Sequence, residues 1–203
     1  MLSRTLLAVV LSTAVAAAAC TSGPPAPDDS SYLTTIIEWR AKKDRDFRQS
    51  DDPIPAIRRD KLLPLPYYPP DQKYAVPAQL RLSDERPVVE VPTSTGTIRR
   101  YHVVGSLEFT LDGQQMSLGA LSPVGEPIRS LFVPFADLTT RKETYSAGRY
   151  LEVPPTATGI YTIDFNYAYN PYCAYNASYE CPFPPPSNRL KVPILAGEKA
   201  PGE

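Results

Sequence analysis

The chain contains one histidine, one tryptophan, two methionines and three cysteines in 203 residues. A single histidine, His102, excludes most His-based metal centres and makes any Ser-His-Asp triad depend on one residue. Neither sign of charge dominates: Lys+Arg 21 against Asp+Glu 22 give a formal net charge of -1. That balance supplies no field for a nucleic-acid backbone and no polybasic membrane patch, so no nucleic-acid partner is expected. Also missing are a G-x-S-x-G elbow, a phosphate loop, an H-E-x-x-H helix and a C-x-x-C pair.

Proline, by contrast, is plentiful at 24 of 203, about twice its usual share of roughly 5%. Proline removes a backbone donor and clashes within helices, which excludes a helical bundle. Hydrophobic residues at 42% and charged residues at 21% match ordinary globular usage and argue against disorder throughout.

Residues 1–19 read as a signal peptide: Arg4 is the positive start, Leu6 to Val15 the apolar stretch, and Ala16 to Ala19 the small-residue end. The segment is too short for a committed transmembrane helix. Cys20 follows directly, and this arrangement resembles a bacterial lipobox, although Ala17 stands where such signals prefer Leu. Lipidation at Cys20 and anchoring to the cell membrane on its extracytoplasmic side are therefore expected, with plain cleavage after Ala19 and secretion as the alternative. Residues 20–29, rich in Pro and small polar types, make a tether. A single β-rich domain is expected over 30–199. The two remaining cysteines, Cys173 and Cys181, are expected to form a disulfide outside the cytoplasm. A two-Cys metal site lacks a third ligand nearby, so neither metal nor cofactor is expected.

Within the domain, Leu33, Ile36, Ile37, Arg40, Asp44 and Phe47 fall near helical spacing and predict a helix over 31–48, capped by Asp29 or Ser30. Seven prolines in 53–77 predict an extended strap whose Leu62, Leu63, Leu65, Tyr67 and Tyr68 are too apolar for water. From 79 onward the period becomes two. Short strands are predicted at 79–82, 88–91, 98–104, 107–111, 116–121, 129–135, 159–165 and 190–195, with a turn at Asp112-Gly113. The expected class is all-β: a β-sandwich or small β-barrel of short antiparallel strands with one N-terminal helix packed on it.

Five of the thirteen tyrosines lie between 167 and 179. Held by a cysteine pair and neighbouring prolines, this segment is expected to be rigid. It either recognises a ligand or partner, or plugs the end of a barrel.

Several strings resemble the domain of unknown function 1684 family over roughly 35–199. They are Glu38-Trp39-Arg40 with Lys43-Asp44, Tyr68-Pro69-Pro70-Asp71, Phe135-Ala136-Asp137, Gly148-Arg149-Tyr150-Leu151, Asp164-Phe165-Asn166 and Ala196-Gly197-Glu198-Lys199. The family brings no established activity, so the resemblance bears on fold and location more than on function.

Carboxylates are the remaining chemical route. In Tyr161 to Tyr167, period two places Asp164 and Asn166 opposite an apolar face of Tyr161, Ile163, Phe165 and Tyr167. Asp137, Arg149 and Glu180 would join them in a polar pocket; the alternatives are a turn cap, a structural ion pair and a solvated loop residue respectively. Tyr145, Tyr169, Asn170 and Asn188 complete the candidate ligand-binding set, all within 137–150 and 164–188. His102 reads as a structural strand residue, and no catalytic residue is assignable. Three functions follow: binding of a small polar ligand or envelope partner, carboxylate-dependent hydrolysis of an envelope glycan, or a structural envelope role without a pocket.

Overall fold

The computed structural model describes residues 29–50 and 52–202. The signal peptide, Cys20 and most of the tether lie outside the described residues. Helix α1, Ser30–Gln49, buries Ile36, Arg40 and Phe47, the positions that its 3–4 spacing places on one side. Asp29 precedes it without a side-chain cap, and the helix stops where Ser50 turns extended. A second helix, α2, Ala56–Leu62, interrupts the expected strap. Its sequence, Ala-Ile-Arg-Arg-Asp-Lys-Leu, buries only Leu62, so it carries almost no periodicity. Pro55 just before its first residue is compatible with a helix start. Beyond it Leu63 and Leu65 join Phe47, Ile54 and Tyr175 in a buried cluster between the helices and the Tyr-rich segment.

The seven strands are β1 Ala75–Leu82, β2 Val88–Pro92, β3 Ile98–Leu111, β4 Gln114–Pro123, β5 Leu131–Phe135, β6 Arg149–Val153 and β7 Ile160–Asp164. They form one antiparallel sheet in the order β6-β5-β4-β3-β1-β7, with β2 also paired to β3. The fold is thus mostly β, a curled half-barrel. Its core contains Leu107, Phe109, Leu118, Val133, Phe135, Leu151, Ile163 and Phe165. Burying each such side chain contributes about 1.5–3 kcal/mol.

Two expected strands, 98–104 and 107–111, are one strand, β3, whose register shifts between Val103 and Gly105. Gly105 is required there: a Cβ would lie 2.2 Å from the Arg81 carbonyl oxygen. At the β3–β4 turn Asp112 and Gly113 have φ of 49° and 75°, the type I′ geometry that matches strand twist.

The strand expected at 190–195 does not form. Leu190, Ile194 and Ala196 still enter the core, but as an irregular plug: Leu190 N–H bonds the Ala136 carbonyl at 2.8 Å. Pro193 lacks the donor that a continuous ladder would need. After β7 the chain turns back so that Tyr169 pairs with Tyr150 of β6 through two backbone bonds, 2.8 and 3.0 Å. This bridge draws the two ends of the half-barrel together.

Candidate functional site

Five of the candidate residues hold the framework. Arg149 opens β6 and is fully buried; its guanidinium donates to Asp137 at 2.8 Å, to the Ile194 carbonyl at 3.0 Å and to the Ala196 carbonyl. The other Asp137 oxygen accepts from Thr139 N–H at 2.7 Å and its hydroxyl at 2.6 Å. Asn188 works as an artificial strand residue, exchanging bonds of 2.7 and 2.9 Å with Gly119 and donating to the Pro134 carbonyl at 2.8 Å. Asn166, fully buried at the 3-10 turn after β7, joins Tyr32 of α1, Asp71 of the strap and Asp164 at 2.8–3.0 Å. Asp164 accepts from Tyr32 at 2.9 Å. The apolar partners expected here divide: Ile163 and Phe165 are buried, while Tyr161 and Tyr167 pack partly exposed against the core.

A second buried charge escaped the sequence reading. Glu198 is fully buried and accepts from Asn170 N–H at 2.7 Å, Tyr175 hydroxyl at 2.6 Å, Tyr67 hydroxyl at 3.1 Å and the Lys43 ammonium. Burial and the Glu198 charge drive the Tyr67 and Tyr175 hydroxyls well above their ordinary pKa. Lys43 lies over the rings of Trp39, Phe47 and Tyr169 at 5.8, 5.2 and 5.2 Å. Gly197 makes this approach feasible, since with φ of 76° a Cβ would sit 2.6 Å from the Ala168 carbonyl oxygen. The only hint in the sequence was the family string Ala196 to Lys199.

The open sites lie elsewhere. A cleft of about 780 Å³ runs between α1, the β5–β6 side of the sheet and the Tyr-rich segment. Rings of Trp39, Tyr101, Tyr169, Tyr172 and Tyr179 line it. Its charges balance, with Lys42, Lys43, Arg99 and Arg129 against Asp46, Glu126, Glu152 and Glu180. Glu180 is clamped by the Thr97 hydroxyl of the β2–β3 turn at 2.5 Å and by Arg99 of β3 at 2.5 Å, and these bonds lower its pKa. In the same cleft Glu152 accepts from Ser130 and from Tyr169 at 3.3 Å. Surrounding protein desolvates its carboxylate and raises its pKa, although the residue as a whole stays open to solvent.

A second cleft, of about 1220 Å³, takes in Asp137 and Tyr145. Of the nine candidates, then, Tyr169 and Glu180 face one cleft and Asp137 and Tyr145 the other. Arg149, Asp164, Asn166, Asn170 and Asn188 line neither. Trp39, Arg99, Tyr101 and Glu152 were missed because they come from three separate elements, α1, β3 and β6, that only the fold brings together.

The structure holds Cys173 and Cys181 as buried free thiols rather than as the expected disulfide. They are in contact: Cys173 N–H donates to the Cys181 sulfur at 3.1 Å. A hydrogen bond from the Cys181 thiol lowers the Cys173 pKa to about 7. The Tyr145 hydroxyl lies 3.8 Å from the Cys173 sulfur. Among the described residues no cluster of three or more His, Cys, Asp or Glu is placed to hold a metal ion. Nor is any described helix long and apolar enough to cross a membrane.

The family model described as "Protein of unknown function (DUF1684)" matches residues 61–199. Among solved structures, the chain is similar to an uncharacterized protein of Haloarcula marismortui determined by solution NMR. The two are 38% identical, the match covers 85% of this chain and 96% of that one, and the TM-score is 0.66. No curated protein matches the chain.

Proposed function

The chain belongs to the DUF1684 family of proteins of unknown function, and from that premise we propose an envelope lipoprotein whose aromatic cleft binds a small, neutral, polar ligand of the carbohydrate kind. One observation carries this reading: a single cleft combines half-exposed Trp39, Tyr169 and Tyr179 with four cationic and four anionic side chains. Aromatic faces offer apolar area to a sugar ring. Balanced charge favours an ion of neither sign, while alternating donors and acceptors suit hydroxyl groups. The volume of about 780 Å³ lies within the span of about 300–1,000 Å³ usual for small-molecule sites.

The anchor at Cys20 fits the same picture. Helix α1 begins where the tether ends and itself forms one wall of the cleft, so the site would stand close to the membrane. On the oxidising side of that membrane the contacting thiols of Cys173 and Cys181 would close into a disulfide, fixing the segment that carries Tyr172 and Tyr179.

Trp39 is the chain's one tryptophan, which makes its fluorescence a direct reporter. The full chain, titrated with a panel of neutral oligosaccharides including N-acetylglucosamine oligomers, is expected to show a saturable change that Tyr179→Ala abolishes. Absence of saturation across the panel would refute the reading. Detergent partitioning that is lost in Cys20→Ser tests the anchor independently.

A second reading has its own observation. Glu152 and Glu180 face one cleft with pKa values displaced in opposite directions, the pattern of a general acid and an ionised partner in glycosidic hydrolysis. Product release from the same oligosaccharides, abolished by Glu152→Gln and by Glu180→Gln, would select it over binding alone.

A further inference from the structure

The second cleft takes no part in that reading, yet unlike the balanced first cleft it carries a net positive charge. Its walls are apolar, formed by Pro92, Phe183, Pro184, Pro185 and Leu138; Leu138 and Phe183 remain 50% and 37% exposed. Three exposed cations, Arg141, Arg189 and Lys191, stand around it. Among the described residues none of the three has an ion pair. Of the two carboxylates at the cleft, Asp137 is neutralised by Arg149 at 2.8 Å, which leaves Glu90 alone against three positive charges. In a protein of net charge -1, this is a local excess of the opposite sign.

An open sheet edge borders the same cleft. Strand β2 pairs with β3 on one side and with no strand on the other. The direction of its backbone groups follows from parity. Thr93 N–H bonds the Thr97 carbonyl and the Pro87 carbonyl accepts from Val103, each at 2.9 Å, so odd-numbered residues face β3. The N–H and C=O groups of Val88 and Glu90 therefore point away from the sheet. Pro92 closes the far end of this edge, its carbonyl already accepting from Phe183 N–H at 2.9 Å. Pro87 closes the near end. So short an edge, bounded by prolines, cannot zip onto the sheet of a second copy. It can accept a brief extended segment.

We propose that the outer edge of β2 and the adjoining cleft form a docking site for a short, extended, acidic segment of a partner polypeptide. The segment pairs with the backbone of Val88 and Glu90. Its carboxylates meet Arg141, Arg189 and Lys191, and its apolar residues lie against Phe183 and the proline wall. Strand addition supplies the backbone bonds, and the cations supply selection for acidic sequence.

The test uses the full chain and a fluorescent peptide of alternating Glu and Val, about eight residues long. Saturable binding is expected, weakened by added salt, with amide NMR shifts at Val88 and Glu90. The double variant Arg189→Glu/Lys191→Glu should lower affinity by at least about tenfold, because each reversal sets like charges together. Glu90→Gln should raise it. Unchanged thermal unfolding of each variant establishes that these exposed substitutions leave the fold intact. Equal binding of a Lys-Val peptide, or of a peptide methylated on alternate backbone nitrogens, would overturn the proposal. So would insensitivity to the charge reversals, or capture by phosphatidylglycerol vesicles with none of the peptide.

Discussion

Arg149 and Arg99 stand on the same sheet and each pairs with a carboxylate, yet the two pairs have different consequences. Arg149–Asp137 is 2.8 Å long with side-chain exposures of 1% and 0%, whereas Arg99–Glu180 is 2.5 Å long with exposures of 52% and 31%. The buried pair is surrounded by further bonds: Arg149 also donates to three carbonyls, and Asp137 holds the turn at Thr139. Together they tie β6 to the plug that crosses the core. The open pair only positions Glu180 at the cleft. The short distance of a surface pair says little about stability, because water already solvates both charges. Burial and the number of partners decide whether an ion pair belongs to the framework or to a site.

That contrast is open to attack by substitution. The largest effect is expected from Arg149→Met, which leaves the Asp137 carboxylate and the carbonyls it served unpaired in the core. A loss of about 3–5 kcal/mol is expected in denaturant unfolding, and adding Asp137→Leu should restore part of it. Glu198→Gln comes next: it keeps the shape but removes the charge that Lys43, Tyr67 and Tyr175 share, for a loss of about 1.5–3 kcal/mol. Asn188→Ala strips Gly119 and Pro134 of their partner, and the same unfolding experiment should register about 1–3 kcal/mol. At the cleft the expectation reverses. Glu180→Gln should leave the unfolding midpoint where it is while weakening the Trp39 fluorescence response to ligand.

The smallest effect is one of pH. Desolvation raises the Glu152 pKa in the fold, so the folded chain binds this proton more tightly than the unfolded chain. Its contribution to stability is full below the ordinary carboxyl value of about 4.3 and is lost as pH rises through the folded value. Glu152→Gln cannot titrate, and the fall in unfolding midpoint over that window should shrink. A variant that steepened the fall would reverse the sign of the argument.

Most strands were legible because period two is a local property, although β6, Arg149–Val153, was not among those expected. Ile98 to Leu111 and Gln114 to Pro123 announce their pairing through the Asp112-Gly113 turn between them. Helix α1 was legible for the same reason, its apolar spacing being intrinsic to one segment. Helix α2 was not, since one buried residue in seven leaves no period to find. The plug at 190–196 has the composition of a strand, and only its irregular path through the core distinguishes it. For the polar residues the limit is different. Asp137, Asn166, Asn170 and Asn188 drew notice as polar types in an unusual region. The turn cap by which Asp137 engages Thr139 was open to view, but sequence offers no way to see that Asp71, Lys199 and Gly119 would engage the three asparagines. Glu198 and Lys43 lie 155 positions apart, and no local pattern links such a pair. The cleft residues Trp39, Arg99, Tyr101 and Glu152 were hidden for the same reason.

The position of Glu198 along the chain also sets an order of events during synthesis. Its partners Lys43 and Tyr67 emerge early, and Asn170 and Tyr175 much later. The backbone on either side of Glu198 is stitched in as well, with Gly197 accepting from Tyr68 at 3.0 Å and Lys199 donating to the Pro66 carbonyl at 2.9 Å. Until residue 199 has been made, the strap lacks its bonds at Pro66, Tyr67 and Tyr68, and the Lys43 ammonium lacks the Glu198 carboxylate. A growing chain therefore carries Lys43 and the strap without these bonds until residue 199 has been made, after every strand of the sheet.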